Sequence, residues 1–198
     1  MGIRLIEPNA SVSNMVTGRL AVYANTKGFR TRALAAAAPQ SLATAAAHPV
    51  FQLGLQDVGQ AAAMERATMS GWRYLLTSKG QVVAAAHARA TGPRAKATFS
   101  HVNEGPQVRS TQQALAAAET WPEVSNGRYA LGLLQVPSLY LEALWLRDDD
   151  GKDGGDYFVP LAPAPAPLVA LKRYGTAEFE KVLAELKALR AKTRDASN

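Results

Sequence analysis

The 198-residue chain contains no cysteine, which removes disulfides, thiolate zinc sites, iron–sulfur ligation and cysteine nucleophiles together. Histidine is scarce. His48, His87 and His101 are the only three, and none has the H-x-x-x-H or H-E-x-x-H spacing of a helical metal site. A Gly-x-Ser-x-Gly elbow, a P-loop and a dinucleotide fingerprint are also missing, so the hydrolase, nucleotide-triphosphatase and dinucleotide classes lose their usual signatures. No apolar run reaches the length that spans a bilayer. Met1 to Glu7 is too short and too charged for a signal sequence. These absences predict a soluble, bacterial-type cytoplasmic protein with no cofactor, no metal site and no membrane attachment.

Hydrophobic residues make up 47% and charged residues 19% of the chain, ordinary values for a folded domain. Alanine is over-represented, at about a fifth of all residues, where a level below about a tenth is normal. The formal charge of +6 is unevenly spread: residues 1–56 and 57–109 carry +4 each, 110–170 carry −5 and 171–198 carry +3. An acidic partner would therefore be steered to one side of the molecule.

The patterning predicts an α+β fold whose sheet is mostly antiparallel, with about five to six strands between Trp72 and Leu161. Residues 1–70 read as an N-terminal arm followed by short alanine-rich helices, and 71–198 as the α+β core, the whole forming one compact unit. In the arm, Ile3 to Ile6 and Leu20 to Ala24 look extended. From Thr31 to Met69 the propensity is helical, with Asp57 and Gln60 forming a capping box for a helix through Ala67. Trp72–Leu76 and Gln81–Ala90 flank Thr77-Ser78-Lys79-Gly80 as a hairpin. With Lys79-Gly80 at the turn, simple counting sets Trp72 opposite His87 and lines Ala84, Ala86 and Ala88 along one face.

A third strand, Ala97 to Val102, follows the Gly92-Pro93 turn, and Ser110 with Gln113 marks the start of a helix that ends at Trp121-Pro122. The runs Tyr129–Val136 and Leu139–Leu146 are apolar on both faces, the pattern of central, doubly covered strands. A strand at Tyr157–Leu161 must be short or at an edge because of Pro160, and the Ala-Pro alternation after it forms a stiff spacer. Thr176 caps a last helix, whose stripe of Phe179, Val182, Leu183, Leu186 and Leu189 packs on the sheet.

The chemistry is sparse. Asp148, Asp149, Asp150, Asp153 and Asp156 with interspersed glycines suggest a calcium loop, but an EF-hand frame from Asp148 puts Lys152 and Val159 at ligand positions. A solvated hairpin tip is the better reading. No catalytic set is evident, and an enzyme is the less favoured class. Binding residues are expected among Arg89, Arg94, Lys96, His101, Glu104 and Arg109. The leading expectation is a non-catalytic protein acting through a protein partner or a second copy of itself. Nucleic acid is the alternative, held by the basic turn from Arg89 to Lys96 with Arg109. A cofactor-free enzyme using His87 or His101 with Glu104 is the third.

Overall fold

The computed structural model describes residues 2–26, 42–149, 151 and 155–195. Its elements run in chain order β1 Gly2–Arg4, α1 Ala10–Thr26, β2 Leu42–Gln52, β3 Thr68–Ser78, β4 Gln81–Arg89, β5 Thr98–Asn103, α2 Pro106–Glu119, α3 Pro122–Asn126, β6 Arg128–Val136, β7 Leu141–Asp148, β8 Tyr157–Pro160, β9 Tyr174–Gly175 and α4 Thr176–Asp195. Short 3-10 turns at Ala63–Arg66 and Pro137–Leu139 complete the set. The α+β class and the largely antiparallel sheet hold, with a larger sheet than expected: nine strands, in the order β5-β4-β3-β2-β6-β7-β8-β9, with β1 beside β6. Only β2 and β1 run parallel to β6.

Helices cover both faces. On one face, Val12, Val16 and Leu20 of α1 pack on Trp72, Tyr74, Leu76 and the alanine row Ala84, Ala86, Ala88. Farther along that face, Phe179, Leu183 and Leu186 of α4 pack on Leu134, Trp145 and Phe158. On the other face, Ala114 and Ala118 of α2 and Val124 of α3 cover Leu131, Leu133, Leu144 and Leu146. The two-sided apolarity of β6 and β7 is thereby explained.

Several local expectations are corrected. Leu20 to Ala24 lies in α1 and not in a strand; Asn9 supplies the start, its side-chain oxygen accepting from the Val12 N–H at 3.0 Å. The alanine-rich stretch 42–52 is a strand, because alanine fits either element and tertiary pairing decides between them. The proposed helix at 57–67 reduces to turns and the 3-10 turn Ala63–Arg66. Residues 31–41 of that expected helical region lie outside the described residues.

Helix α2 begins at Pro106, a residue whose missing N–H suits the first turn. Ser110 therefore lies inside the helix, where its hydroxyl accepts the Ala162 N–H at 2.7 Å.

The β3–β4 hairpin turns at Lys79-Gly80, both with positive φ. Its register then shifts between Leu76 and Thr77, so Arg73 faces His87 and Trp72 faces Ala88. One extra residue in a ladder moves every later side chain to the opposite face. The alanine row Ala84, Ala86 and Ala88 consequently shares the α1 face with Trp72.

Candidate functional site

That shift assembles the chemistry. His48 on β2 pairs with Arg73 on β3, Arg73 with His87 on β4, and His87 with His101 on β5. Residues directly opposite in a ladder project from the same face, so the three histidines and an arginine form one row across four strands. The row lies on the α2 side, and Arg73 Nη1 donates to Thr111 Oγ1 of α2 at 2.9 Å. Thr111 in turn donates to the Gln107 carbonyl at 2.7 Å. At the end of the row the His87 and His101 rings stack, with centroids 4.5 Å apart and planes 7° from parallel. A second register shift, opposite His87 and Ala88, leaves Ser100 as an extra residue, and its Oγ lies 3.0 Å from His101 Nδ1.

His48 and Arg73 are fully buried and His87 is 8% exposed. Their polar atoms are poorly matched: among the described residues both His48 nitrogens, Arg73 Nε and Nη2, His87 Nε2 and Glu142 Oε2 have no hydrogen-bond partner. Gln135 Nε2 holds the other Glu142 oxygen at 2.8 Å. Each such buried orphan costs about 1–3 kcal/mol, and native interiors contain few of them. Six at one locus mark a place where stability has been given up.

Electrostatics follow from the packing. Burial, then the Arg73 charge and His87, hold His48 well below its ordinary value. His87 is pushed down to about 3 by burial, Arg73 and His101. His101 is lowered by burial and by Arg89, with Glu142 opposing. Burial also lowers Arg73, and Glu142 again opposes. At neutral pH the histidines are therefore uncharged.

In front of the row opens a cleft of about 410 Å³, lined by His87, His101, Arg89, Ser100, Gln52 and Gln135, with Ser70, Gly71 and Trp72 along its floor. This volume is in the usual range for small-molecule sites. No family model, curated protein or solved structure matches this chain. The chain's own geometry thus carries the functional reading.

Of the residues expected from sequence, Arg89 and His101 line the cleft. Arg94 and Lys96 are exposed on the β4–β5 connection, and Arg109 is exposed on α2. Glu104 lies between β5 and α2, outside the cleft lining; the carboxylate whose field reaches His101 is Glu142. His87 and His101 line one cleft, without the Glu104 that the enzyme reading placed beside them. His48, Arg73, Gln135 and Glu142 were missed. A charged residue inside the apolar run Trp72-Arg73-Tyr74-Leu75-Leu76 was the one available signal, since buried arginines are rare.

The acidic loop has structural work. Asp156 accepts from Trp145 Nε1 at 2.7 Å and from the Asp148 N–H at 2.8 Å, while Asp149 pairs with Arg4 at 2.7 Å. Asp150 and Asp153 lie outside the described residues. Among the described residues no group of three or more histidines and carboxylates is arranged to hold a metal. No described helix is long and apolar enough to cross a membrane.

Proposed function

We propose that this protein binds a small polar molecule in the cleft before His87 and His101, and acts through binding. The observation that carries this reading is the convergence of six unpartnered buried polar atoms behind one cleft wall. Proteins concentrate such costs where a site needs them. A ligand confined to the native state stabilises it by about 2.7 kcal/mol at a hundredfold excess over Kd. Thermal melts against a panel of small polar compounds should therefore yield a member that raises Tm in the wild type and leaves His87→Phe unshifted. An equal rise in both proteins would place the ligand elsewhere.

A second reading, cofactor-free acid–base catalysis by His87 and His101, draws on the Ser100–His101 contact of 3.0 Å and on the neutral rings, which can accept a proton. Its carboxylate would be Glu142, in place of Glu104. Turnover lost in His101→Gln with ligand affinity kept would establish it. The protein partner or second copy expected from the sequence is a separate proposal, tested by size-exclusion chromatography with light scattering. A cytoplasmic setting is proposed with both, because a cysteine-free chain fits a reducing compartment.

A further inference from the structure

We infer that the molecule taken up by the cleft presents an oxyanion, a carboxylate or phosphoryl group, to Arg89, with the His87 and His101 rings beside it. This rests on the cleft being a ligand site. Arg89 and His87 are two residues apart on β4 and share the face that the cleft occupies. Arg89 is exposed and, among the described residues, makes no ion pair or side-chain hydrogen bond. Among the described residues no carboxylate lines the cleft. Behind the wall stands a second guanidinium, Arg73, which keeps Nε and Nη2 unpartnered. The nearby carboxylate, Glu142, has one oxygen committed to Gln135 and makes no ion pair with Arg73 within 4.0 Å. Two cations against one partly engaged carboxylate give a positive field at the mouth, and a planar guanidinium fork matches oxyanions in geometry as well as charge. A cationic ligand would meet Arg89 without a counter-charge, and an uncharged one would leave it unpaired.

The same geometry couples binding to protons. The groups facing His87 are Arg73 on β3, His48 on β2, and His101 on β5, with Arg89 and Glu142 beside His101. Thr111 of α2 engages Arg73 from above. Every charge there except Glu142 opposes protonation of the histidines, and an arriving anion offsets that opposition. Affinity for an oxyanion that keeps its charge should therefore rise as pH falls below about 6.5, where the lowered histidines can take up protons, by up to about tenfold per pH unit for each proton taken up.

The test uses the full chain, calorimetry and histidine-detected NMR with four probes: inorganic phosphate, succinate, ethylamine and glycerol. Phosphate or succinate should move the His87 and His101 resonances, bind more tightly at lower pH, and lose about ten- to hundredfold affinity in Arg89→Ala, with only part of it restored in Arg89→Lys, which keeps the charge without the fork. A response to phosphate alone assigns a phosphoryl ligand, and one to succinate alone a carboxylate. If ethylamine or glycerol moves these resonances and neither oxyanion does, the charge assignment falls and the cleft stands. If none of the four does, both fall. Oxyanion affinity unchanged in Arg89→Ala would also overturn the assignment.

Discussion

Arg73 is the residue on which the site turns. It is fully buried and its guanidinium makes one hydrogen bond among the described residues, to Thr111, a poor use of a guanidinium if stability were its purpose. A buried charge with no ion-pair partner is costly to desolvate, so an apolar side chain of similar length is expected to be neutral or stabilising there. Arg73→Met should therefore match or exceed the wild type in urea unfolding, with an unchanged slope, while relieving the part of the His48 and His87 depression that the Arg73 charge adds to burial. A loss above about 3 kcal/mol would instead make Arg73 the partner of Glu142 in a structural ion pair.

His87 gives a pH prediction of definite sign. Its folded value of about 3 lies below the unfolded value of about 6.5, so between these limits the unfolded chain binds more protons. The stabilisation is complete above about pH 6.5 and is lost as pH falls toward 3. The slope is about 1.4 kcal/mol per pH unit for each such histidine. His48 acts in the same direction. His87→Gln should flatten the acid limb of stability measured from pH 7 to 4; an unaltered limb would show that His87 titrates normally.

At the level of elements, register decides what meets what. A one-residue shift near Leu76, with Val83 of β4 as the extra residue, sets His87 beside Arg73 on the α2 face and Ala88 beside Trp72 on the α1 face. Gly71, two residues before Arg73 on the same face, is needed because a Cβ there would collide with the Ala88 carbonyl. Gly71→Ala should cost about 1–3 kcal/mol by overpacking and impair ligand binding as well, because Gly71 floors the cleft. A variant with wild-type stability and binding would show that the strands are not held this closely.

This is also where legibility ended. The Lys79-Gly80 turn, the apolar runs of β6 and β7 and the stripe of α4 as far as Leu186 are written in spacing alone, whereas Leu189, expected in that stripe, is exposed. A bulge leaves no comparable mark, so counting from the turn put the wrong residue opposite His87. Alanine's indifference between helix and strand concealed β2, and His48 with it. Half of the site, Arg89, His87 and His101, was within reach; the buried half depended on pairings that only the folded sheet reveals.

At the scale of the whole molecule, β2 joins the sheet's two parts by pairing antiparallel with β3 and parallel with β6. Residues before 70 thus supply the centre of the sheet. A fragment spanning 71–198 would expose unpaired edges on β3 and β6 and leave the alanine row without α1, so circular dichroism should find it unfolded or aggregated. A fragment with a cooperative melt would show that the later strands suffice. The intact chain should unfold in a single transition, since the row from His48 to His101 spans four strands of one sheet.

The central claim, that three distant histidines and Arg73 share one row that is buried from His48 to His87, is tested most directly by histidine-detected NMR from pH 8 to 3. The structure predicts that His87 and His48 stay neutral far into acid, and that both move upward in Arg73→Met. Three independent titrations near pH 6.5, unmoved by that substitution, would contradict it.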